Sequence, residues 1–273
     1  MRSKNIFKDN FPNLTDEEIK RLHIDIADKC SDYYFLDFLK TTYGNIDDAF
    51  QLFVFDEKLR TLLFKYVIRF EIQIKNDFVQ MVTKKTKDNS FWNNSSYYIY
   101  KKQKDFDQLI DKINDAFKNL NVAPANASSY TAAYVMSFGT FVSFYKNINP
   151  MHKRDFIKKY TKYLPKHDFE LLHKYLLCMR SLRNRCAHGT HIVSISFVNQ
   201  LSQYYLLQKP ENLNPEMQSF SIFELTIYFL IKSLHCGKEF EKDLKNLLSK
   251  YKKVYSKYGG KQSINPTIIN KIF

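Results

Sequence analysis

The feature that most constrains the fold is a long helical repeat of apolar residues between Glu57 and Lys84. Apolar side chains recur there at the i, i+3, i+4, i+7 spacing that aligns them on one face of an α-helix. They are Leu59, Leu62, Leu63, Tyr66, Val67, Phe70, Ile74, Phe78, Met81 and Val82. Ile68 and Ile72 lie on the opposite face, so we expect both sides of the helix to be covered. With only 6 Gly and 7 Pro, the chain has little material for β-sandwich turns, and an all-α fold is predicted.

Further helices are predicted on both sides of this repeat. Thr15 and Glu18 have the capping-box spacing that begins a helix. Asp56 is the expected cap of the long helix. Gly189 is the expected stop of the helix predicted over residues 167–187. The predicted spans are 16–28, 32–42, a short helix from Asp47, 57–84, 101–120, 129–147, 150–160, 167–187, 197–206, 221–234 and 239–256. The alternating segment that follows His191 is a short strand or a loop.

The charge balance indicates a polyanionic partner. The chain has 42 Lys and Arg against 28 Asp and Glu, a formal net charge of +14. RNA, DNA or an anionic membrane would suit that charge. The lysine-rich coding habit of an A/T-rich genome explains it equally well, and charge alone does not separate the two interpretations.

No membrane span or targeting segment is expected. The longest apolar run, Phe220 to Leu234, is interrupted by Ser221, Glu224 and Lys232, so it is too short and too polar to cross a bilayer. The first residues lack the apolar core of a signal peptide. A cytoplasmic protein with no membrane partner is therefore predicted.

Cysteine and histidine spacing predicts no metal and no cofactor. The four cysteines are scattered and form no Cys-x-x-Cys pair, so they are expected to be small buried residues in a reducing compartment. His152, His167 and His173 also lack ligand spacing and are expected on helix surfaces.

The segment from Arg180 to Gly189 carries the most chemistry. In Arg-Ser-Leu-Arg-Asn-Arg-Cys-Ala-His-Gly, helical spacing places Arg180, Arg183 and Asn184 on one side, with His188 one turn further at the helix end. A guanidinium can clamp a phosphate, and an imidazole can move a proton near neutral pH. The alternative is structural, because Arg and His near a helix C-terminus also satisfy terminal carbonyls and complement the macrodipole.

Three separated blocks resemble one protein family. They are the helix around Phe50–Leu63 and its continuation Ile68–Lys75, the Met-Ser-Phe-Gly-Thr of residues 136–140, and the Leu-Arg-Asn-Arg-Cys-Ala-His-Gly of residues 182–189. Their order and spacing resemble the abortive-infection (AbiD/AbiF-like) branch of the HEPN ribonuclease superfamily. The chain departs from that pattern in lacking an acidic residue shortly before Ser137, and in having His191 where an arginine is common.

The resemblance implies a HEPN-type helical bundle over residues 46–235, with a loop or insertion near 88–128. Residues 1–45 would add loosely matched N-terminal helices, and residues 236–273 a helical extension. It also implies a metal-independent endoribonuclease of phage defence, of the toxin–antitoxin type, restrained by a small structured RNA. Because one histidine cannot easily be both acid and base, the resemblance implies a homodimer whose two Arg-Asn-x-x-x-His helices share a cleft. Arg183, Asn184 and His188 are the expected catalytic residues.

Glu71, Lys75 and Arg180 are candidate supporting residues. Glu71 and Lys75 have the i, i+4 spacing of a helical ion pair. As a surface pair they would stabilise the helix by roughly 0.3–0.5 kcal/mol. In the family they resemble a Glu-x-x-x-Lys element that faces the catalytic helix and holds Arg183 or His188. The residues themselves favour neither interpretation.

Candidate RNA-binding residues are His191, Lys101, Lys102 and Lys104. The three lysines follow a tyrosine-rich stretch, and aromatic rings interleaved with positive charge are typical of RNA-stacking surfaces. A solvated helix start beside buried aromatics is the alternative interpretation. For the whole chain, the alternative functions are a HEPN-fold module that binds RNA or protein without cutting, and a DNA-binding regulator. The sequence has no convincing helix-turn-helix signal for the latter.

Overall fold

A computed structural model describes residues 4–100, 103–119, 121, 123–124, 127–162, 169–192 and 222–258. These residues form helices and two short 3-10 turns, Phe91–Asn93 and Ser95–Tyr97. The helices are α1 (Lys4–Asn10), α2 (Asp16–Ile26), α3 (Asp32–Thr41), α4 (Ile46–Thr86), α5 (Gln103–Asn119), α6 (Ser129–Val135), α7 (Phe138–Asn147), α8 (Arg154–Thr161), α9 (Phe169–Ala187), α10 (Ile222–Ser233), α11 (Gly237–Lys250) and α12 (Lys252–Tyr258). No strand occurs in these ranges, so the all-α prediction is confirmed.

Helix α4 is one continuous helix of 41 residues, and the prediction of two helices divided at Asp56 is wrong. The helix begins at the Asn45 cap, whose side chain accepts a hydrogen bond from the Asp48 amide at 2.9 Å. No glycine or proline interrupts residues 46–86. Asp56 is buried inside the helix, where Oδ1 accepts from the Ile192 amide at 2.9 Å. Its carboxylate satisfies a distant backbone donor, so it does not act as a helix cap.

Helix α4 lies at the centre of the fold and packs most extensively against α9. The prediction that these two helices form the central pair is confirmed. The rest of α4 contacts α3, α6, α8, α10, α11 and α12. Aromatic rings pack at two of these contacts. The ring centroids of Tyr66 and Phe240 of α11 are 4.5 Å apart, and those of Phe70 and Phe229 of α10 are 5.8 Å apart.

Two predicted helices are divided in the structure. The span 129–147 is interrupted after α6, because the Ser137 side chain caps α7 by accepting from the Thr140 amide at 3.1 Å. The span 239–256 is interrupted at Tyr251, whose ring packs 5.5 Å from that of Phe55 on α4. Helix α8 also begins four residues later than predicted, because Asn149 closes a turn by accepting the Met151 amide at 3.0 Å.

Two predicted helix ends are confirmed. The Thr15–Glu18 capping box is present in both directions, and Gly189 follows α9 with a φ of 68°. Within the described ranges, no helix combines the length and apolarity needed to cross a membrane. The segment 193–197, the helix predicted over 197–206, His167 and residues 259–273 lie outside the described residues.

Candidate active site

The three sequence blocks meet where α4 and α9 cross the junction between α6 and α7. Lys75 of α4 donates a hydrogen bond to the carbonyl of Met136 at 2.6 Å. Arg180 of α9 lies over Gly139. A Cβ at position 139 would be 3.5 Å from the Arg180 Cδ. Arg183 of α9 faces α4. The fold therefore brings the Glu-x-x-x-Lys, Ser-Phe-Gly-Thr and Arg-Asn-x-x-x-His segments into one region.

Arg183 is held by Glu71. The guanidinium Nε lies 3.7 Å from the Glu71 carboxylate Oε2. Both atoms are buried, and neither has a hydrogen-bond partner among the described residues. At this separation the two groups form an ion pair without a hydrogen bond. The Arg183 side chain as a whole stays 33% exposed, so part of its guanidinium is accessible.

Glu71 and Lys75 form a buried pair, so the surface-pair interpretation is wrong. The two residues are only 9% and 7% exposed, and Lys75 Nζ lies 2.8 Å from Glu71 Oε1. The carboxylate thus contacts Lys75 with one oxygen and faces Arg183 with the other. This geometry is compatible with a supporting role for both residues, and that role stays a prediction.

The Ser-Phe-Gly-Thr segment has a clear structural purpose. Ser137 caps α7, Phe138 is buried, and Gly139 presents a bare backbone to Arg180. A side chain larger than alanine at position 139 would displace Arg180. The segment therefore sets how closely α7 approaches α9 beside the candidate site.

Asn184 contacts Arg183 through its side chain and His188 through the helix backbone. Arg183 Nη1 lies 3.5 Å from Asn184 Oδ1, and the Asn184 carbonyl accepts the His188 amide at 2.9 Å. His188 is the first residue after α9, and its side chain is exposed. The helix ends there because Gly189 adopts a left-handed conformation and the Thr190 amide bonds the Arg185 carbonyl at 3.2 Å. An arginine, an amide and an accessible imidazole thus lie within six consecutive residues at the end of α9.

The turn after His188 is held by Arg60, a residue that was not predicted from the sequence to be part of the site. Arg60 Nη1 donates to the Gly189 carbonyl at 2.5 Å and to the Tyr34 hydroxyl at 2.6 Å. The same nitrogen lies 3.8 Å from the buried carboxylate of Asp56. The spacing of Asp56 and Arg60, an i, i+4 pair, could have indicated this role, because it places a carboxylate on an otherwise apolar helix face.

His191 is packed against α3. Its ring stacks on Tyr34 with 3.8 Å between centroids, and Nε2 lies 3.0 Å from the Tyr34 carbonyl oxygen. Burial lowers the pKa of His191, opposed chiefly by the nearby Asp56 carboxylate. These contacts favour a structural role that anchors the chain after the turn, and RNA contact by His191 stays a prediction.

The remaining candidates lie elsewhere or outside the described residues. Lys104 is exposed at the start of α5, which packs on α6 and α7. Lys101 and Lys102 lie outside the residues that the structure describes. His173 is buried at 9% exposure, so its expected place on a helix surface is wrong. In the part of the chain described, no three His, Cys, Asp or Glu side chains form a group that could hold a metal ion.

One known protein family matches this chain. The model of the family described as "Abi-like protein" matches residues 29–194, a range that contains Glu71, Ser137 and the segment from Arg183 to His188. Searches of curated proteins and of solved structures found no match. The matched range covers more than half of the 273 residues. The chain therefore belongs to the Abi-like protein family.

Proposed function

We propose that this protein is a metal-independent endoribonuclease that acts in phage defence as an abortive-infection toxin in the cytoplasm. The observation that carries the proposal is the arrangement of Arg183, paired with Glu71, beside Asn184 and the exposed His188 at the end of α9. These are the groups that RNA cleavage needs. The substrate supplies the nucleophile, and the protein supplies proton transfer and positive charge.

In the proposed reaction, His188 accepts the proton of an RNA 2′-hydroxyl. The 2′-oxygen then attacks the adjacent phosphorus and forms a new O–P bond. The accessible part of the Arg183 guanidinium stabilises the charge on the phosphorane oxygens. The bond between phosphorus and the 5′-oxygen breaks, and a proton is delivered to that oxygen. The products are a 2′,3′-cyclic phosphate and a 5′-hydroxyl, so the chemistry needs no metal ion.

The second proton transfer points to a homodimer. One His188 that has just accepted a proton is poorly placed to donate one across the same phosphate, whereas His188 of a second copy can do so. Two exposed apolar side chains are candidates for such a contact. Ile72, next to Glu71, is 57% exposed, and Tyr134, two residues before Met136, is 81% exposed. In the proposed dimer, a second copy covers both side chains.

RNA is also the proposed regulatory partner. A net charge of +14 favours a folded polyanion through counterion release. We propose that a small structured RNA binds the protein and restrains its activity. Sequencing of the nucleic acid that co-purifies with the protein tests this: one abundant structured species is expected, and a recovery of random fragments would contradict it.

The nuclease proposal is tested by cleavage of single-stranded RNA with purified protein. Arg183→Ala and His188→Ala are each expected to abolish cleavage while RNA binding and folding are retained, because both side chains reach the surface at a helix end. His235→Ala is the matched control, since His235 is exposed on a different turn. Normal cleavage by His188→Ala would overturn the proposal. RNA binding without any cleavage by the wild type would leave a non-cleaving binding module as the better account.

A further inference from the structure

A cavity opens beside the turn that carries His188. Its volume is about 450 Å³, within the ~300–1,000 Å³ range of small-molecule sites. Its lining includes Lys29, Tyr34, Phe53, Glu57, Arg60 and Gly189. Aromatic, cationic and carboxylate side chains therefore surround one space, which the proposed cleavage steps do not use.

The cavity is connected to the candidate site by direct contacts. Gly189 forms part of its wall and directly follows His188 in the chain. Arg60, another wall residue, donates to the Gly189 carbonyl at 2.5 Å. A molecule in this cavity would consequently contact the residue that directly follows His188 in the chain.

The chemistry of the walls indicates what can bind. Tyr34 and Phe53 provide aromatic surface, and their rings meet at 88° with 6.2 Å between centroids. Lys29 and Glu57 are exposed, and Asp28 is a second carboxylate in the lining. The two carboxylates offset the charges of Lys29 and Arg60 in the lining, so the cavity has no excess positive charge for a phosphate group. An aromatic surface with a carboxylate acceptor and an ammonium donor suits a nucleobase that carries both donors and acceptors.

We propose that this cavity is a nucleobase subsite that takes a guanine adjacent to the cleaved phosphate. Guanine presents two neighbouring donors, N1–H and N2–H₂, which a carboxylate such as that of Glu57 can accept together. It also carries the O6 and N7 acceptors, which suit the Lys29 ammonium. Uracil has a single ring donor and lacks this combination. The inference rests on the proposed nuclease function for its place in catalysis.

Binding of single nucleotides tests the subsite without any cleavage. Titration calorimetry with the full chain would compare guanosine, adenosine, cytidine and uridine 5′-monophosphates. Guanosine monophosphate is expected to bind at least about tenfold more tightly than uridine monophosphate, and Glu57→Ala should remove this preference. Glu17→Ala, an exposed glutamate of α2, is the matched control and should bind as the wild type does. Equal affinities, no binding, or an unaltered Glu57→Ala protein would overturn the inference.

Mapping of the cut sites separates this inference from the nuclease proposal. Wild-type cuts are expected next to guanines, and Glu57→Ala is expected to lose that preference while it still cuts. RNA that is cut without guanine preference would overturn the subsite alone. Selective, Glu57-dependent binding of guanosine monophosphate by a protein that cuts no RNA would overturn the nuclease proposal and support the guanine site.

Discussion

Glu71 and Arg183 face each other across the contact between α4 and α9, with 3.7 Å between the carboxylate Oε2 and the guanidinium Nε. The other oxygen of the same carboxylate lies 2.8 Å from Lys75 Nζ. One buried carboxylate therefore contacts two cations, one with each oxygen. The arrangement fixes the stem of Arg183 and leaves the rest of its guanidinium toward solvent, where a phosphate can approach.

Removal of the Glu71 charge tests this relationship. In Glu71→Gln, Lys75 stays buried without its anionic partner, and Arg183 loses the group that orients it. We expect a loss of about 1–3 kcal/mol in the free energy of unfolding and a marked fall in RNA cleavage. Urea denaturation and a cleavage assay measure the two effects.

The double variant Glu71→Gln/Lys75→Met separates stability from orientation. Replacement of both members of a buried pair is far less destabilising than removal of one, so we expect stability to recover. Cleavage should stay low because Arg183 still lacks its carboxylate. Recovery of cleavage together with stability would show that Glu71 acts only through the fold.

Helical spacing in the sequence was sufficient to predict which of these side chains share a helix face. Each of these spacings lies along a single helix. The Arg183–Asn184–His188 spacing follows α9 to its end, and the Glu71–Lys75 spacing lies within α4. Spacing along a helix determines which side chains share a face. The burial of Glu71 could not be predicted, because it depends on how α9 and the Met136 turn pack against α4. Whether an i, i+4 pair is exposed is decided by tertiary packing.

Arg60 is expected to hold the turn that carries His188. Arg60→Met removes the hydrogen bonds to the Gly189 carbonyl and the Tyr34 hydroxyl, and it removes the ion pair with Asp56. We expect lower stability and lower cleavage. Tyr34→Phe is the matched control, because it removes one hydrogen bond and leaves the Gly189 contact, so its cleavage should stay near the wild-type rate. Equal losses of cleavage in both variants would contradict a specific role for the Gly189 contact.

The proposed dimer contact is tested at two exposed isoleucines. Ile72, which follows Glu71 in the chain, is 57% exposed, and Ile24 on α2 is 68% exposed. Ile72→Lys is expected to give monomers with reduced cleavage, because a lysine would be desolvated against the second copy. Ile24→Lys should keep the wild-type mass. Sedimentation velocity measures both, and a dimer that survives in Ile72→Lys would place the contact elsewhere.

His173 predicts a pH dependence of stability. Burial lowers its pKa to about 4, with further contributions from Lys146, Lys153 and Arg180. Between pH 6.5 and 4 the unfolded chain binds a proton that the folded chain does not, so this stability contribution is lost as the pH falls. After allowance for solvent screening, the loss is about 2 kcal/mol.

His173→Gln isolates that contribution. The variant should lose less stability than the wild type between pH 6.5 and pH 4, as measured by urea denaturation. The exposed His235 provides the control, since His235→Gln should follow the wild-type curve. Parallel curves for the wild type and His173→Gln would contradict the prediction.

Two of the errors in the predicted fold share a physical cause. Asp56 has the residue type of a helix cap, but its carboxylate serves the Ile192 amide instead. Ser137 also belongs to a residue type that favours helix N-caps, and it does cap α7. It lies inside a span that apolar periodicity alone predicts as one unbroken helix. Short polar side chains can serve either purpose, and the choice depends on long-range partners that a local pattern does not contain.

The most direct test of the central claim uses an RNA with one 2′-deoxynucleotide at a mapped cut site, incubated with the protein in EDTA. We predict that the all-ribose RNA is cut to a 2′,3′-cyclic phosphate or 3′-phosphate end and a 5′-hydroxyl, and that the deoxy site is not cut. His188→Ala should lower the rate by at least the ~10²–10⁴-fold typical of general acid–base groups. Cleavage only with Mg²⁺, cleavage at the deoxy site, or normal cleavage by His188→Ala would contradict the account.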